Sequence, residues 1–203
     1  SKDHRFGLFR LKSGTTSWEN ITNSGLPDNC EIRAVVVDPR NTNRVFVGTQ
    51  VGPYVSEDGG DNWTALTLPS DNAVTWSILL HPDDPDIVYA GTQDQGIFRT
   101  SNSGKSWDEL EVPEPNGLCR MGFPSRTVRM CLDPSNPDEV YAGVEVGGLV
   151  RSLDAGETWE DIGGGLLELA KQEHLRSQIG SDTKTEGMMD THATTISASR
   201  PGT

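Results

Sequence analysis

Apolar residues in this chain come in short runs separated by turn formers. Val35-Val36-Val37, Ile78-Leu79-Leu80 and Met130-Cys131-Leu132 each stop at a turn, Asp38-Pro39, His81-Pro82 or Asp133-Pro134. A second run then closes on glycine: Val45-Phe46-Val47-Gly48, Val88-Tyr89-Ala90-Gly91 and Val140-Tyr141-Ala142-Gly143. A third run, Pro53-Tyr54-Val55, Gly96-Ile97-Phe98-Arg99 or Gly148-Leu149-Val150-Arg151, leads into a polar stretch that ends in Trp and opens a fourth. Such runs are of strand length and too short for helices, and the Pro, Gly, Asn and Asp between them break the chain into hairpins. The pattern predicts four short antiparallel strands per unit over 31–68, 74–111 and 126–162. Four strands at a period of about 45 residues is the mark of propeller blades.

The polar stretches carry a second, finer repeat. Ser152-Leu153-Asp154-Ala155-Gly156-Glu157-Thr158-Trp159 is matched by Ser56 to Trp63, by Thr100 to Trp107 with Asn102 for Asp, and by a worn copy from Leu11 to Trp18. Trp18, Trp63, Trp107 and Trp159 recur at 45, 44 and 52 residues. A short acceptor at Asp58, Asn102 or Asp154 bonds backbone N–H groups just ahead and folds the chain back. Gly60, Gly104 and Gly156 supply positive φ in the bend. The closing Trp lies over the turn as an apolar plug.

This motif resembles the Asp-box, or bacterial neuraminidase repeat, Ser/Thr-x-Asp-x-Gly-x-Thr/Ser-Trp. That repeat belongs to propellers of sialidases, xyloglucan-cleaving glycoside hydrolases, sortilin-type receptors and the photosystem II assembly factor. The resemblance implies an all-β propeller of four-stranded antiparallel blades. It makes Ser56, Asp58, Gly60, Trp63, Asn102, Gly104, Trp107, Ser152, Asp154, Gly156 and Trp159 structural. It also places binding at the end of the blades opposite the boxes. A fold carries no chemistry by itself.

Gly7-Leu8-Phe9-Arg10 aligns with Gly96 to Arg99, so 5–22 reads as half a blade. Residues 163–191 read as an insertion, with a helix over 166–176 whose Leu166, Leu169 and Ala170 share a face, then a polar, mobile tail from Ser177. Residues 192–203 read as the first strand of a further blade, Thr194 to Ala198, with Arg200-Pro201 at the place of Asp38-Pro39. The expectation is a partial ring, whose open sheet edges favour self-assembly or a second chain that completes it.

Of 203 residues, 17 are Lys or Arg and 30 are Asp or Glu, a net charge of −13. This balance argues against nucleic acid or an anionic membrane as partner, since both need a basic footprint. No apolar run approaches the roughly 20 residues that span a bilayer. The lack of an apolar leader favours a cytoplasmic location, while Ser1 in place of Met leaves a removed signal peptide, and secretion, open. Cys30, Cys119 and Cys131 are odd in number and lack C-x-x-C spacing, so they read as reduced, partly buried thiols. His4, His81, His174 and His192 have no ligand spacing, and Gly163-Gly164-Gly165 lacks the Lys-Ser/Thr of a phosphate loop. No metal and no cofactor is signalled.

Candidate chemistry lies on the loops between second and third strands. Gln50, Gln93 and Glu145 fall at one position in three successive blades, with Asp94 beside the second. Such groups around a central depression suit sugar hydroxyls or a peptide backbone. Arg129 sits on an innermost strand where other blades carry Ala34, Ser77 and Ile196, and needs a ligand or a carboxylate such as Glu145. His192, Asp190, Glu186, Arg120 and Arg126 lie in the inserted loops on the same face. Glycoside hydrolysis needs two carboxylates, for which Glu145 with Asp94 or Asp190 is the candidate set. A sialidase would also need an Arg triad, a Tyr nucleophile and a Phe-Arg-Ile-Pro motif. Gly122-Phe123-Pro124-Ser125-Arg126 is not that motif, and Tyr54, Tyr89 and Tyr141 fall within strands. The sequence therefore favours a non-catalytic propeller segment binding protein or carbohydrate, with a glycoside hydrolase completed by other blades as the alternative.

Overall fold

A computed structural model describes residues 7–22, 24–71, 73–177 and 184–199. Strands β1 (Phe9–Leu11) and β2 (Trp18–Asn20) form a two-stranded ribbon. Three four-stranded sheets follow, each hydrogen-bonded antiparallel in chain order. The first holds β3 (Ile32–Val37), β4 (Val45–Thr49), β5 (Gly52–Ser56) and β6 (Thr64–Ala65). The second holds β7 (Thr75–Leu80), β8 (Val88–Thr92), β9 (Ile97–Thr100) and β10 (Asp108–Glu109). The third holds β11 (Thr127–Asp133), β12 (Asn136–Val144), β13 (Gly148–Ser152) and β14 (Glu160–Asp161). Helices α1 (Gly164–Ala170) and α2 (Glu186–Met189), with a 3-10 turn at Glu173–Leu175 between them, complete the described elements. The chain is thus a partial β-propeller with one helical insertion.

The sheets stack face to face, so apolar layers lie between blades. Ile21, Val47 and Trp63 fill the first layer; Phe46, Ile78, Val88, Phe98 and Trp107 the second; Tyr89, Ile97, Met130, Val140 and Val150 the third. A middle strand covered on both faces has no solvent side, which is why β8 is buried throughout and reads as an unbroken apolar run. Each large side chain so buried contributes about 1.5–3 kcal/mol. The glycine closing the second strand lets the next blade's first strand approach. A Cβ on Gly48 would lie 2.5 Å from the Thr75 carbonyl oxygen, and one on Gly91 would lie 2.7 Å from that of Thr127.

The repeated polar turns share one geometry. Ser56 Oγ accepts from the Gly60 amide at 2.8 Å and donates to Asp58 Oδ1 at 2.8 Å; Asp58 Oδ1 also accepts from the Asn62 amide at 2.8 Å. Thr100 with Asn102 and Ser106, and Ser152 with Asp154 and Thr158, repeat these bonds. Side-chain donors, Asn62 and the Thr158 hydroxyl, lower the Asp58 and Asp154 carboxyls to about 2. The fourth residue of each turn donates its amide to its own blade's first hairpin: Gly59 to Asn43, Ser103 to Asp86, Ala155 to Asp138. Both turns therefore lie at one end of each blade.

Three expectations are corrected. Trp18 is 65% exposed rather than sealing a turn: Leu11 replaces the Ser/Thr hub, and the bend closes only through Thr15 to the Lys12 carbonyl. The helix predicted over 166–176 starts at Gly164, ends at Ala170 and resumes as a 3-10 turn at Glu173–Leu175. Residues 194–198 form no strand, because among the described residues no second strand pairs with them. Thr191 and Thr194 nevertheless press on Gly143 as Thr75 presses on Gly48, within 3.0 Å of a Cβ built there. Arg200-Pro201, and residues 5 and 6 of the half blade, lie outside the described residues.

Candidate functional site

The end of the blades away from the polar turns is built by the hairpins after β4, β8 and β12 and by two insertions. Each innermost strand breaks register at one residue there: Arg33 in β3, Trp76 in β7 and Val128 in β11. A bulge re-aims a side chain and bends the strand. It puts Trp76 between its neighbours, and guanidinium groups from the blades on either side lie over its ring, Arg33 at 4.2 Å and Arg126 at 4.3 Å from the centroid. Arg126 is also 5.0 Å from the Phe123 ring. The Trp76 indole nitrogen is buried without a hydrogen bond.

Arg126, held in this stack, ion-pairs with Glu145; its Nη1 lies 3.0 Å from Oε1 and 2.8 Å from Oε2. The backbones bond as well, the Glu145 amide donating to the Arg126 carbonyl at 2.8 Å. Glu145 is only 7% exposed, and burying a carboxylate demands such a partner. From the insertion come Asp190 and His192. His192 Nε2 is 2.8 Å from Asp190 Oδ1 and 3.8 Å from Glu145 Oε1.

The two insertions pack together to hold this arrangement. Asp161 accepts from the Asn116 amide and side chain, both at 2.8 Å, and the Cys119 amide donates to the Val146 carbonyl at 2.9 Å. Met189 is fully buried, its Cε within 3.3 Å of Cβ positions built on Gly117, Gly148 and Gly163. Side chains there would evict it, so three glycines form its socket. This anchor lies one residue before Asp190. The tail expected to be mobile from Ser177 thus contains an ordered, buried segment at α2; residues 178–183 lie outside the described residues.

The other candidates are placed differently. Gln50 is occupied in tying its own loop, accepting from the Glu31 amide at 2.8 Å and donating to the Asn29 carbonyl at 3.2 Å. Gln93 is half-buried and bridges Arg126 through its backbone. Asp94 is exposed on an outer groove of about 340 Å³ shared with Gln95, Glu109, Glu114 and Arg120, where Arg120 pairs with Glu114. Arg129 is exposed and is not the partner of Glu145; Arg126 takes that role because the bulge at Val128 sets Arg129 opposite Gly143. Arg129 lines a concave groove of about 580 Å³ with Arg33, Trp76 and the half-exposed Val35 and Val37. The three tyrosines are structural in their contacts: Tyr89 donates to the Ala155 carbonyl, Tyr141 to Glu139, and Tyr54 packs in the first apolar layer. Burial raises the Cys131 thiol to about 11, and Cys30 and Cys131 are free. No described helix is long and apolar enough to cross a membrane.

The Sortilin-Vps10 family model, described as sortilin, neurotensin receptor 3, matches residues 52–162, more than half of the chain. The chain belongs to the Sortilin-Vps10 family. Among curated relatives, a xyloglucanase of Hypocrea jecorina is 25% identical over 164 residues, 72% of this chain and 19% of that protein. The vacuolar protein sorting/targeting protein 10 of Schizosaccharomyces japonicus is 26% identical over 106 residues, 52% of this chain and 7% of that protein. The chain spans less than a fifth of the curated relatives it matches. The GH74 xyloglucanase from Xanthomonas campestris shares the fold, with a TM-score of 0.58, 22% identity, and coverage of 76% of this chain and 26% of that one.

Proposed function

We propose that this member of the Sortilin-Vps10 family is a non-catalytic binding segment of an Asp-box propeller, engaging an extended peptide on the loop face. The supporting observation is the convergence of Arg126, Glu145, Asp190 and His192 beside the Arg33–Trp76–Arg126 stack. These groups offer donors and acceptors to a peptide backbone and charged side chains. The Trp76 ring carries a guanidinium group from each neighbouring blade and so offers no open aromatic face on which a sugar ring could stack. Vacuolar sorting relatives favour a protein ligand by analogy.

A second reading rests on one specific observation. Glu145 and Asp190 present carboxylate oxygens within 4.8 Å of each other, close to the spacing of about 5 Å used by retaining glycosidases, and several relatives are named xyloglucanases. Against it, Glu145 is already engaged by Arg126 and Asp190 by His192. Peptide and glycan arrays, together with a chromogenic glycoside panel on the full-length protein, separate the two. The binding reading expects peptide capture that Glu145→Gln weakens, and no turnover. Hydrolysis of any glycoside that Glu145→Gln abolishes would overturn it.

A further inference from the structure

We propose that the outer groove beside the Asp94–Gln95 turn holds a basic side chain of the bound peptide together with a large apolar side chain next to it. The ligand is then a protein segment in which Lys or Arg adjoins Leu, Met or Phe, an inference that deepens the peptide reading and rests on it. Two adjoining grooves, of about 340 and 220 Å³, share Asp94, Gln95, Leu118 and Arg120 in their walls. The larger adds Glu109 and Glu114, with Leu110 and Val112, which also pack on the third apolar layer. The smaller adds Met121, Phe123 and Pro124.

The two grooves differ in character. Arg120 pairs with Glu114 at 3.1 Å, which leaves Asp94 and Glu109 exposed and, among the described residues, without an ion pair. Glu31, Glu145 and Asp190, also on the loop face, each have an Arg or His partner. In the smaller groove Phe123 and Pro124 are exposed and Met121 is half-buried. An acidic chamber joined to an apolar one matches a partner that offers a cation and apolar carbon side by side. A phosphate-bearing partner would be repelled by Asp94 and Glu109.

The walls are set before any ligand arrives. Asp94 and Gln95 have φ of +57° and +64°, two successive left-handed residues in a turn that normally uses Asn-Gly or Asp-Gly. The Asp94 amide holds this conformation by donating to the Ser125 carbonyl at 2.7 Å, and the Gln93 amide donates to the Val74 carbonyl at 3.1 Å. A strained turn that keeps two side chains where glycine would be easier is a mark of a functional wall. The facing wall is tied through the Leu118 amide to the Pro115 carbonyl at 3.1 Å and through Cys119 to Val146. Little ordering is left for the ligand to impose.

The test is fluorescence polarisation on the full-length protein with three labelled nonapeptides, a Gly-Ser frame around Arg-Leu, Glu-Leu or Arg-Ser. The Arg-Leu peptide should saturate below about 1 mM, and the other two should bind at least about tenfold more weakly. Its affinity should fall with added salt, and at least about tenfold in the double variant Asp94→Asn, Glu109→Gln. Both side chains are exposed and Asn tolerates the left-handed turn, so this variant keeps the wild-type Tm. Asp83→Asn, which removes an exposed carboxylate at the opposite end of the blades, should bind as wild type does. No saturation by Arg-Leu, equal affinity for Glu-Leu, or undiminished affinity in the double variant would overturn the proposal. The peptide reading itself is judged by array capture and its loss in Glu145→Gln. Captured peptides lacking a basic–apolar pair would sink this inference and leave that reading standing.

Discussion

At the scale of single residues, the repeated turn is a device in which one hydroxyl serves three bonds. Ser56, Thr100 and Ser152 each accept two amide protons and donate to the residue two positions on. Asp58 and Asp154 titrate near 2 when folded, below their ordinary 3.8. A lowered folded value adds stability above the unfolded pKa, and that stability is lost as pH falls through the folded one. Urea unfolding should therefore show stability dropping between about pH 4 and pH 2, with a shallower drop in the double variant Asp58→Asn, Asp154→Asn. Asn102, which already makes the equivalent bonds, predicts that both substitutions fold at neutral pH. An unchanged acid slope would contradict this account. The glycine of the turn is equally constrained: Gly104 has φ +86°, and a Cβ there would meet Leu66 Cδ2 of the preceding blade at 2.8 Å. Gly104→Ala should cost about 2 kcal/mol or more in chemical denaturation.

At the scale of elements, the turns also join one blade to the next. Arg10 donates to the Gly59 carbonyl and pairs with Asp61, while Arg99 donates to the Ala155 carbonyl and pairs with Glu157. These arginines hold one place in their third strands, and their partners hold one place in the following turn. The junction between the first and second four-stranded sheets has Val55 and Lys105 at those places and therefore no such lock. Arg151, at the same place in the third blade, pairs within its own blade with Glu160. Arg99→Leu should lower stability by about 1–2 kcal/mol, because the carbonyl bond and the cover over Tyr89 go with it. Glu157→Gln should cost under about 1 kcal/mol, its carboxylate being largely exposed. Equal losses would show that the ion pair, and not the carbonyl bond, carries the junction.

At the scale of the molecule, the architecture was legible because a 45-residue repeat of strand-length apolar runs has few other solutions. Glycines closing the second strands were visible too, although only packing shows that they admit the neighbouring strand. The site was less legible. Glu145 and His192 could be picked as loop residues, but their meeting depends on Met189 finding a socket made by three distant glycines, which no local pattern encodes. The choice of Arg126 over Arg129 turns on a bulge at Val128, and a one-residue register shift leaves no trace in composition. Trp76 did carry a signal: it is the one tryptophan outside the repeated turns.

The central claim is that ligand is held at the end of the blades opposite the polar turns. Its most direct test is to take a peptide captured from the array and measure its affinity for wild type, Glu145→Gln, His192→Ala and Asp58→Asn under one set of conditions. The account predicts that Glu145→Gln and His192→Ala weaken binding by about tenfold or more while Asp58→Asn leaves it unchanged. Loss in Asp58→Asn with retention in the other two would place the ligand at the wrong end of the blades and contradict the account.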